Sequence, residues 1–132
     1  MAYIECNGGG AGIKKLWTGT AREYAQNSSI SVDLSKYKKI LIKFLSDGRS
    51  ESTYKFEQVF DISNGSHQMS VIGMAYNSSV VSEHLISDRD VTVSNTGLSL
   101  GQAHRYYSTS ASQNVNYAII PIEIYGIKSD EI

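Results

Sequence analysis

The chain has 132 residues, of which 12 are basic and 13 acidic, so its formal net charge at neutral pH is −1. This balance argues against a nucleic-acid-binding protein, because phosphate contacts need an excess of Lys and Arg. The sequence contains neither an apolar run of membrane-spanning length nor a recognisable signal peptide. We therefore expect no membrane insertion and a protein made in the cytoplasm.

The sequence predicts a single domain between two flexible ends. Residues 1–13 include the run Asn7-Gly8-Gly9-Gly10-Ala11-Gly12, whose backbone loses much entropy on ordering, and are predicted to form a linker. Residues 14–128 are predicted to form the domain, which is long enough to bury one core without disulfides. Residues 129–132 are expected to be a disordered tail.

Along the domain, apolar and polar residues alternate with a period of two, which is typical of half-buried strands. In chain order this pattern covers Ile30–Leu34, Ile40–Phe44, Tyr54–Ile62 and Ala118–Ile124. Each segment has one apolar and one polar face, which indicates antiparallel sheets in two layers. The predicted fold class is an all-β, jelly-roll-like sandwich with little or no helix, the best helical candidate being a single turn at 20–26.

Turn residues fall between these segments. Chain reversals are predicted at Ser46-Asp47-Gly48, Asn77-Ser78-Ser79 and Asn95-Thr96-Gly97, and Asn64-Gly65 predicts a β-hairpin. Pro121 lies inside the last strand pattern. Because proline has no N–H to donate, that strand is expected to lie at a sheet edge or to carry a bulge.

The residues that commonly carry chemistry do not form a recognisable catalytic, cofactor or metal motif. The glycine run lacks the Gly-Lys-Ser/Thr ending of a phosphate-binding loop. The single cysteine, Cys6, lies in the predicted linker, and His67, His84 and His104 are too widely spaced for a metal pair. We therefore expect no catalytic residue, no cofactor and no metal ion.

Asp88 and Asp90 flank Arg89, and a strand would place both carboxylates on one face. Paired carboxylates can perform acid–base chemistry or hold calcium. The simpler interpretation is a solvated charged face on which Arg89 or a lysine neutralises the acids.

The strongest candidate for ligand binding is the segment Gly101–Ser110, which combines aromatic, amide, hydroxyl and guanidinium groups. Such groups suit a sugar, whose C–H face stacks on aromatic rings and whose hydroxyls form hydrogen bonds. The candidate binding residues are His104, Arg105, Tyr106 and Tyr107, with Asn77 from the turn predicted at Asn77-Ser78-Ser79. The alternative is that the two tyrosines cap the end of the core.

Four short stretches are informative as an ordered set: Leu16-Trp17-Thr18, Val32–Tyr37, Val91–Leu98 and Ile120–Lys128. In order and spacing they resemble the C-terminal β-sandwich domains of minor structural, tail-appendage proteins of phages and prophages. The likeness covers about residues 14 to 128. Here the domain makes up nearly the whole chain, without the long fibre segment that usually precedes it.

This resemblance implies a non-enzymatic virion protein located in the tail. Its partners would be other virion tail proteins, further copies of itself and a host surface polysaccharide. It also implies structural roles for the matching residues, with Trp17 and Tyr125 in the core and Gly97 and Gly126 required by the backbone. Two alternatives stay open, namely a purely structural assembly module without a ligand and a small glycan-active enzyme on a jelly-roll scaffold.

Overall fold

A computed structural model describes residues 12–49, 55–77, 83–107 and 111–128, with the backbone alone for 75–77 and 83–85. Residues 1–11 of the predicted linker, the predicted tail at 129–132 and Tyr54 lie outside this description. The described chain forms nine strands: β1 (Ile13–Thr18), β2 (Ser28–Ser31), β3 (Lys39–Asp47), β4 (Lys55–Asp61), β5 (Ser66–Asn77), β6 (Glu83–Ser94), β7 (Gly97–Tyr106), β8 (Gln113–Val115) and β9 (Ala118–Ile127).

The strands form two antiparallel sheets that pack face to face. The first sheet has the order β1-β9-β3-β4, and the second has the order β2-β7-β6-β5 with β8 also paired to β7. The predicted all-β sandwich is confirmed. None of the described residues is helical, and the candidate helical turn at 20–26 is irregular chain that ends in a turn.

The core lies between the two sheets. As the alternation predicts, Ile40, Ile42 and Phe44 of β3 are fully buried, while the intervening Lys39, Leu41 and Lys43 are not. All five strands of the second sheet contribute apolar side chains, which are Ile30, Val71, Val91, Val93, Leu98, Leu100, Ala103 and Val115. Burying such side chains contributes roughly 1.5–3 kcal/mol each, so the interior between the layers is the main source of stability.

Pro121 marks a bulge in β9, which confirms one of the two predicted outcomes. Phe44 of β3 pairs with Pro121, and its neighbour Lys43 pairs with Glu123, so Ile122 is the extra residue. β9 itself lies between β1 and β3 rather than at an edge. The extra residue reverses which face successive side chains occupy. The expectation that alternate residues from Ala118 to Ile124 share one face is therefore wrong.

The turn predicted at Asn64-Gly65 is present, but it does not close a hairpin. Gly65 has a φ of 104°, and its N–H donates to the carbonyl of Ile62. The strands on either side, β4 and β5, belong to different sheets. The prediction of a hairpin is wrong because a tight turn reverses the chain without deciding whether it returns to the same sheet.

Gly97 closes the hairpin of β6 and β7, at the reversal predicted for Asn95-Thr96-Gly97. Its φ is 136°, and a Cβ atom at this position would lie 2.0 Å from the carbonyl oxygen of Ile30. Only glycine accommodates both the backbone angle and this close approach. The turn therefore allows β2 to pack closely against the start of β7, where Ser31 pairs with Gly97.

Of the two aromatic residues expected in the core, only Trp17 packs against it. Tyr125 lies on the outer face of the first sheet, where its hydroxyl donates to Glu123 at 2.6 Å and Lys43 lies 5.3 Å from its ring centre. The hydrogen bond to the carboxylate, together with burial, raises the pKa of Tyr125 to about 12. Tyr125 is part of a polar surface network, and its predicted core role is wrong.

Candidate binding site

The predicted binding residues His104 and Tyr106 lie together on the outer face of the second sheet. Both face Asp88 of the neighbouring strand β6: His104 Nδ1 lies 3.2 Å from Asp88 Oδ1, and the Tyr106 hydroxyl donates to Asp88 Oδ2 at 3.0 Å. The hydrogen bond to the carboxylate raises the pKa of Tyr106. Asp88 therefore holds both rings in a fixed arrangement on an exposed surface.

Arg89 does not neutralise its acidic neighbours. Asp88 and Asp90 face outward, whereas Arg89 faces the core and is fully buried. It donates to three backbone carbonyls, those of Gly101 at 2.9 Å, Ile119 at 3.5 Å and Tyr24. Burial lowers its pKa to about 10, which leaves the guanidinium protonated at neutral pH. The predicted neutralisation by Arg89 is wrong because adjacent strand residues point to opposite faces.

Arg105, a third predicted binding residue, is 1% exposed and lies between the sheets. It donates to Ser87 Oγ at 3.0 Å and to Asp47 Oδ2 at 2.9 Å, and its Nη2 has no hydrogen-bond partner among the described residues. Asp47 also accepts two side-chain hydrogen bonds from Arg49. Burial alone would raise the pKa of the Asp47 carboxyl, but the hydrogen bonds from the two arginines outweigh it and lower the pKa.

Tyr107 lies at the end of the sandwich, half-buried, with its hydroxyl 3.5 Å from Gln113 Oε1. Burial raises its pKa. Asn77 is the last residue of β5 and pairs with Glu83 of β6. Three residues earlier, Met74 of β5 pairs with Ile86 of β6, which in turn pairs with Tyr106 of β7. The side chain of Asn77 and the rest of its turn lie outside the described residues. The predicted residues are thus divided between an outer face, the interior and one end of the sandwich.

A groove of about 570 Å³ runs beside β8, next to the outer-face residues. The described side chains that line it are mostly amides, which are Gln102, Gln113, Asn114 and Asn116, together with Glu23, Val115 and Tyr117. Asn114 pairs across the strands with His104, so the groove borders the face that carries His104 and Tyr106. Of the groove residues, only Gln102 lies in the segment Gly101–Ser110 that the sequence singled out.

Two sets of contacts build the groove. Val115 is buried opposite Ala103, which fixes β8 on β7, and the Gln102 amide donates to the carbonyls of both residues. The N–H of Tyr24 donates to the carbonyl of Asn116 at 2.9 Å, which brings the neighbouring Glu23 to the groove wall. The amide groups are therefore presented by two strands and one anchored loop.

The chemistry of the groove is that of hydrogen bonding. Amide side chains offer both donors and acceptors, as a sugar hydroxyl requires. Among the described lining residues only Glu23 carries a charge. Tyr117 contributes less stacking surface than its ring suggests, because the Arg49 guanidinium lies 3.8 Å from the ring centre. The available sequence signal was the amide-rich run Gln113-Asn114-Val115-Asn116.

Within 12–49, 55–77, 83–107 and 111–128, no three His, Cys, Asp or Glu residues come together in a way that could hold a metal ion. The same residues form no helix with the length and apolar character to cross a membrane. Cys6 lies outside the described part of the chain.

Comparison of the chain with protein-family profiles, with curated proteins and with solved structures finds no match.

Proposed function

We propose that this protein is a non-enzymatic binding module of the phage tail-appendage type and that its groove beside β8 binds a host surface glycan. The resemblance of the four ordered stretches supports the virion context. In that context the partners are other tail proteins and further copies of the same chain. Several weak sites on one particle would then act together, so a shallow groove suffices for firm attachment.

The groove lining is the observation that carries the proposal. Four amide side chains line it, and His104 and Tyr106 stand on the adjoining face. Glycosidases use two carboxylates about 5 to 10 Å apart across a cleft. The described lining supplies only the carboxylate of Glu23, and Asp88 is engaged by His104 and Tyr106. The arrangement favours holding a sugar over cleaving it.

The charge of the groove narrows the ligand to an uncharged glycan. A phosphate- or carboxylate-bearing polymer would place its anions near Glu23, where like charges repel. An uncharged sugar forms its hydrogen bonds with the amides regardless of that carboxylate. Binding should then change little between low and high salt, because screening acts on charge pairs.

We expect the double variant Gln113→Ala/Asn114→Ala to lose about thirtyfold in glycan affinity, since each of the two removed hydrogen bonds contributes about 1 kcal/mol. The measurement is a glycan array with host cell-wall polysaccharides, followed by titration of the best ligand. Tyr106→Ala and Tyr107→Ala extend the test to the two rings.

The matched control is Asn64→Ala/Gln68→Ala, which removes two exposed amides far from the groove. It should bind as the unmodified protein does. Absence of binding to any host polysaccharide would remove the recognition role, and equal losses in the two double variants would move the ligand away from the groove. Binding that weakens steeply with salt would contradict an uncharged ligand.

A purely structural virion module is the second candidate, and exposed apolar side chains favour it. Ile72, Met74, Ile86 and Tyr106 are between 43% and 65% exposed on the outer face of the second sheet. Contiguous apolar patches on a surface often mark contacts between proteins. A tight oligomer that buries Tyr106 and binds no glycan would favour this function.

A further inference from the structure

The edges of the two sheets are protected to very different degrees. Edge strands expose unpaired backbone groups, and proteins commonly shield them with charges, irregularities or short length. In the first sheet, β1 carries Lys14 and Lys15 with a register shift after them, and β4 carries both acidic and basic residues. In the second sheet, β2 and β8 share one edge and have four and three residues.

β5 has none of these protections. It is the edge strand on the other side of the second sheet, it has 12 residues, and it pairs with β6 over its whole length. Its sequence, SHQMSVIGMAYN, contains no Lys, Arg, Asp, Glu or Pro. On its other side no described strand forms hydrogen bonds with it. This edge is therefore long, regular and uncharged.

Two side chains on the outer face of this edge are apolar, although Ile72 pairs across the strands with Asp88. On the outer face of β5, Ile72 is 65% exposed and Met74 is 47% exposed. Ile86, the cross-strand partner of Met74, is 48% exposed. A further strand added to this edge would give Ile72 and Met74 cross-strand neighbours, and such pairs stabilise a sheet.

We propose that β5 pairs with β5 of a second copy of this chain, antiparallel about a twofold axis, so that the two second sheets become one continuous sheet. A second copy is a suitable partner because two uncharged β5 strands do not repel each other. The lysines of β1 would face each other in the equivalent pairing of that strand. A twofold pairing uses the same surface on both copies and closes at two subunits.

This interface does not depend on a glycan, because the groove beside β8 lies at the opposite edge of the same sheet. A dimer would carry two grooves at the far ends of the joined sheet. The failure of either proposal therefore leaves the other standing.

The test is the mass of the full chain in solution, measured by light scattering after size exclusion and by sedimentation at tens of micromolar. We expect the unmodified protein at twice the 14.5 kDa chain mass. The variant Ile72→Lys/Met74→Lys places four cations near the joined edges of a dimer and should run at the single chain mass. Both side chains are exposed, so the fold should melt as before.

The matched control is Ile13→Lys/Val59→Lys, which replaces two exposed apolar residues on the edge strands of the first sheet. It should stay dimeric. Hydrogen exchange gives a second readout, since alternate amides of β5 should slow as the protein concentration rises. A monomeric unmodified protein, a trimer, or a dimer that survives the β5 lysines would overturn the proposal.

Discussion

Replacement of Arg89 with alanine is expected to lower the free energy of unfolding by about 4 kcal/mol, because it empties a buried volume and leaves buried carbonyls unpaired. The guanidinium binds the carbonyls of Tyr24, Gly101 and Ile119, which belong to the β1–β2 connection, β7 and β9. One side chain thereby joins three separate parts of the chain. Urea unfolding followed by fluorescence of the single tryptophan measures the loss.

Ile119, whose carbonyl accepts a hydrogen bond from Arg89, also has an unusual backbone conformation. It has a φ of 55°, a left-handed backbone conformation that β-branched residues seldom adopt. Its carbonyl accepts from Arg89, and its side chain is fully buried.

Arg89→Lys keeps the charge with fewer donors, so its free energy of unfolding should lie between those of the unmodified protein and Arg89→Ala. Lys14→Ala, an exposed control, should change stability by less than about 0.5 kcal/mol, and an equal loss in Arg89→Ala and Lys14→Ala would contradict a role for the buried contacts.

Replacement of Asp47 with alanine is expected to cost about 3 kcal/mol, because it leaves the Arg105 guanidinium buried without its carboxylate. Asp47 is 5% exposed and Arg105 is 1% exposed, so water cannot take over the lost interaction. Thermal unfolding at neutral pH measures the effect. The control Asp90→Asn alters an exposed carboxylate of the same sandwich and should leave the melting temperature nearly unchanged.

Asp47 should also govern part of the response to acid. Its pKa in the folded protein lies below the usual value of 3.8, so the unfolded state binds a proton first as the pH falls. The stabilisation is fully present above about pH 4 and is lost as the pH drops through the folded pKa. Asp47→Asn should flatten the decline of stability below that pH. An acid transition identical in slope to that of the unmodified protein would contradict this assignment.

The sequence predicted the layers of this fold better than its connections. Alternation identified the buried face of β3, and proline chemistry identified the bulge at Pro121. Asn64-Gly65 gave the turn but not the partner of the strand that follows it. Pairing between distant strands depends on the packing of the whole molecule, and a local pattern of turn residues carries no information about it.

The position of Arg89 was available from the sequence, although the neighbouring acids obscured it. Arg89 has the same parity as the buried Val91 and Val93, which places it on the apolar face of β6. The same parity rule places Arg105 beside the buried Ala103. Arginine rarely occupies such positions, so its charge favoured the surface interpretation. What the sequence could not supply was the set of carbonyls that receives each guanidinium.

The groove could be predicted only in part. The segment around His104 and Tyr106 was singled out because its residue types suit a sugar. The groove itself needs Glu23 beside Asn116, and that contact exists because the connection after β1 folds back over the loop that follows β8. No spacing rule links residues 93 positions apart.

The position of β9 in the first sheet also constrains when that sheet can form during synthesis. β9 is the last of the nine described strands to be synthesised, yet it forms hydrogen bonds with β1 on one side and β3 on the other. Until Ala118–Ile127 has been synthesised, β1 has no partner strand in the first sheet. The β3–β4 pair then lacks the strand that forms hydrogen bonds with β3 on its other side. Such intermediates expose apolar surface and are prone to aggregate. The first sheet can therefore complete its hydrogen bonding only after β9 has been synthesised.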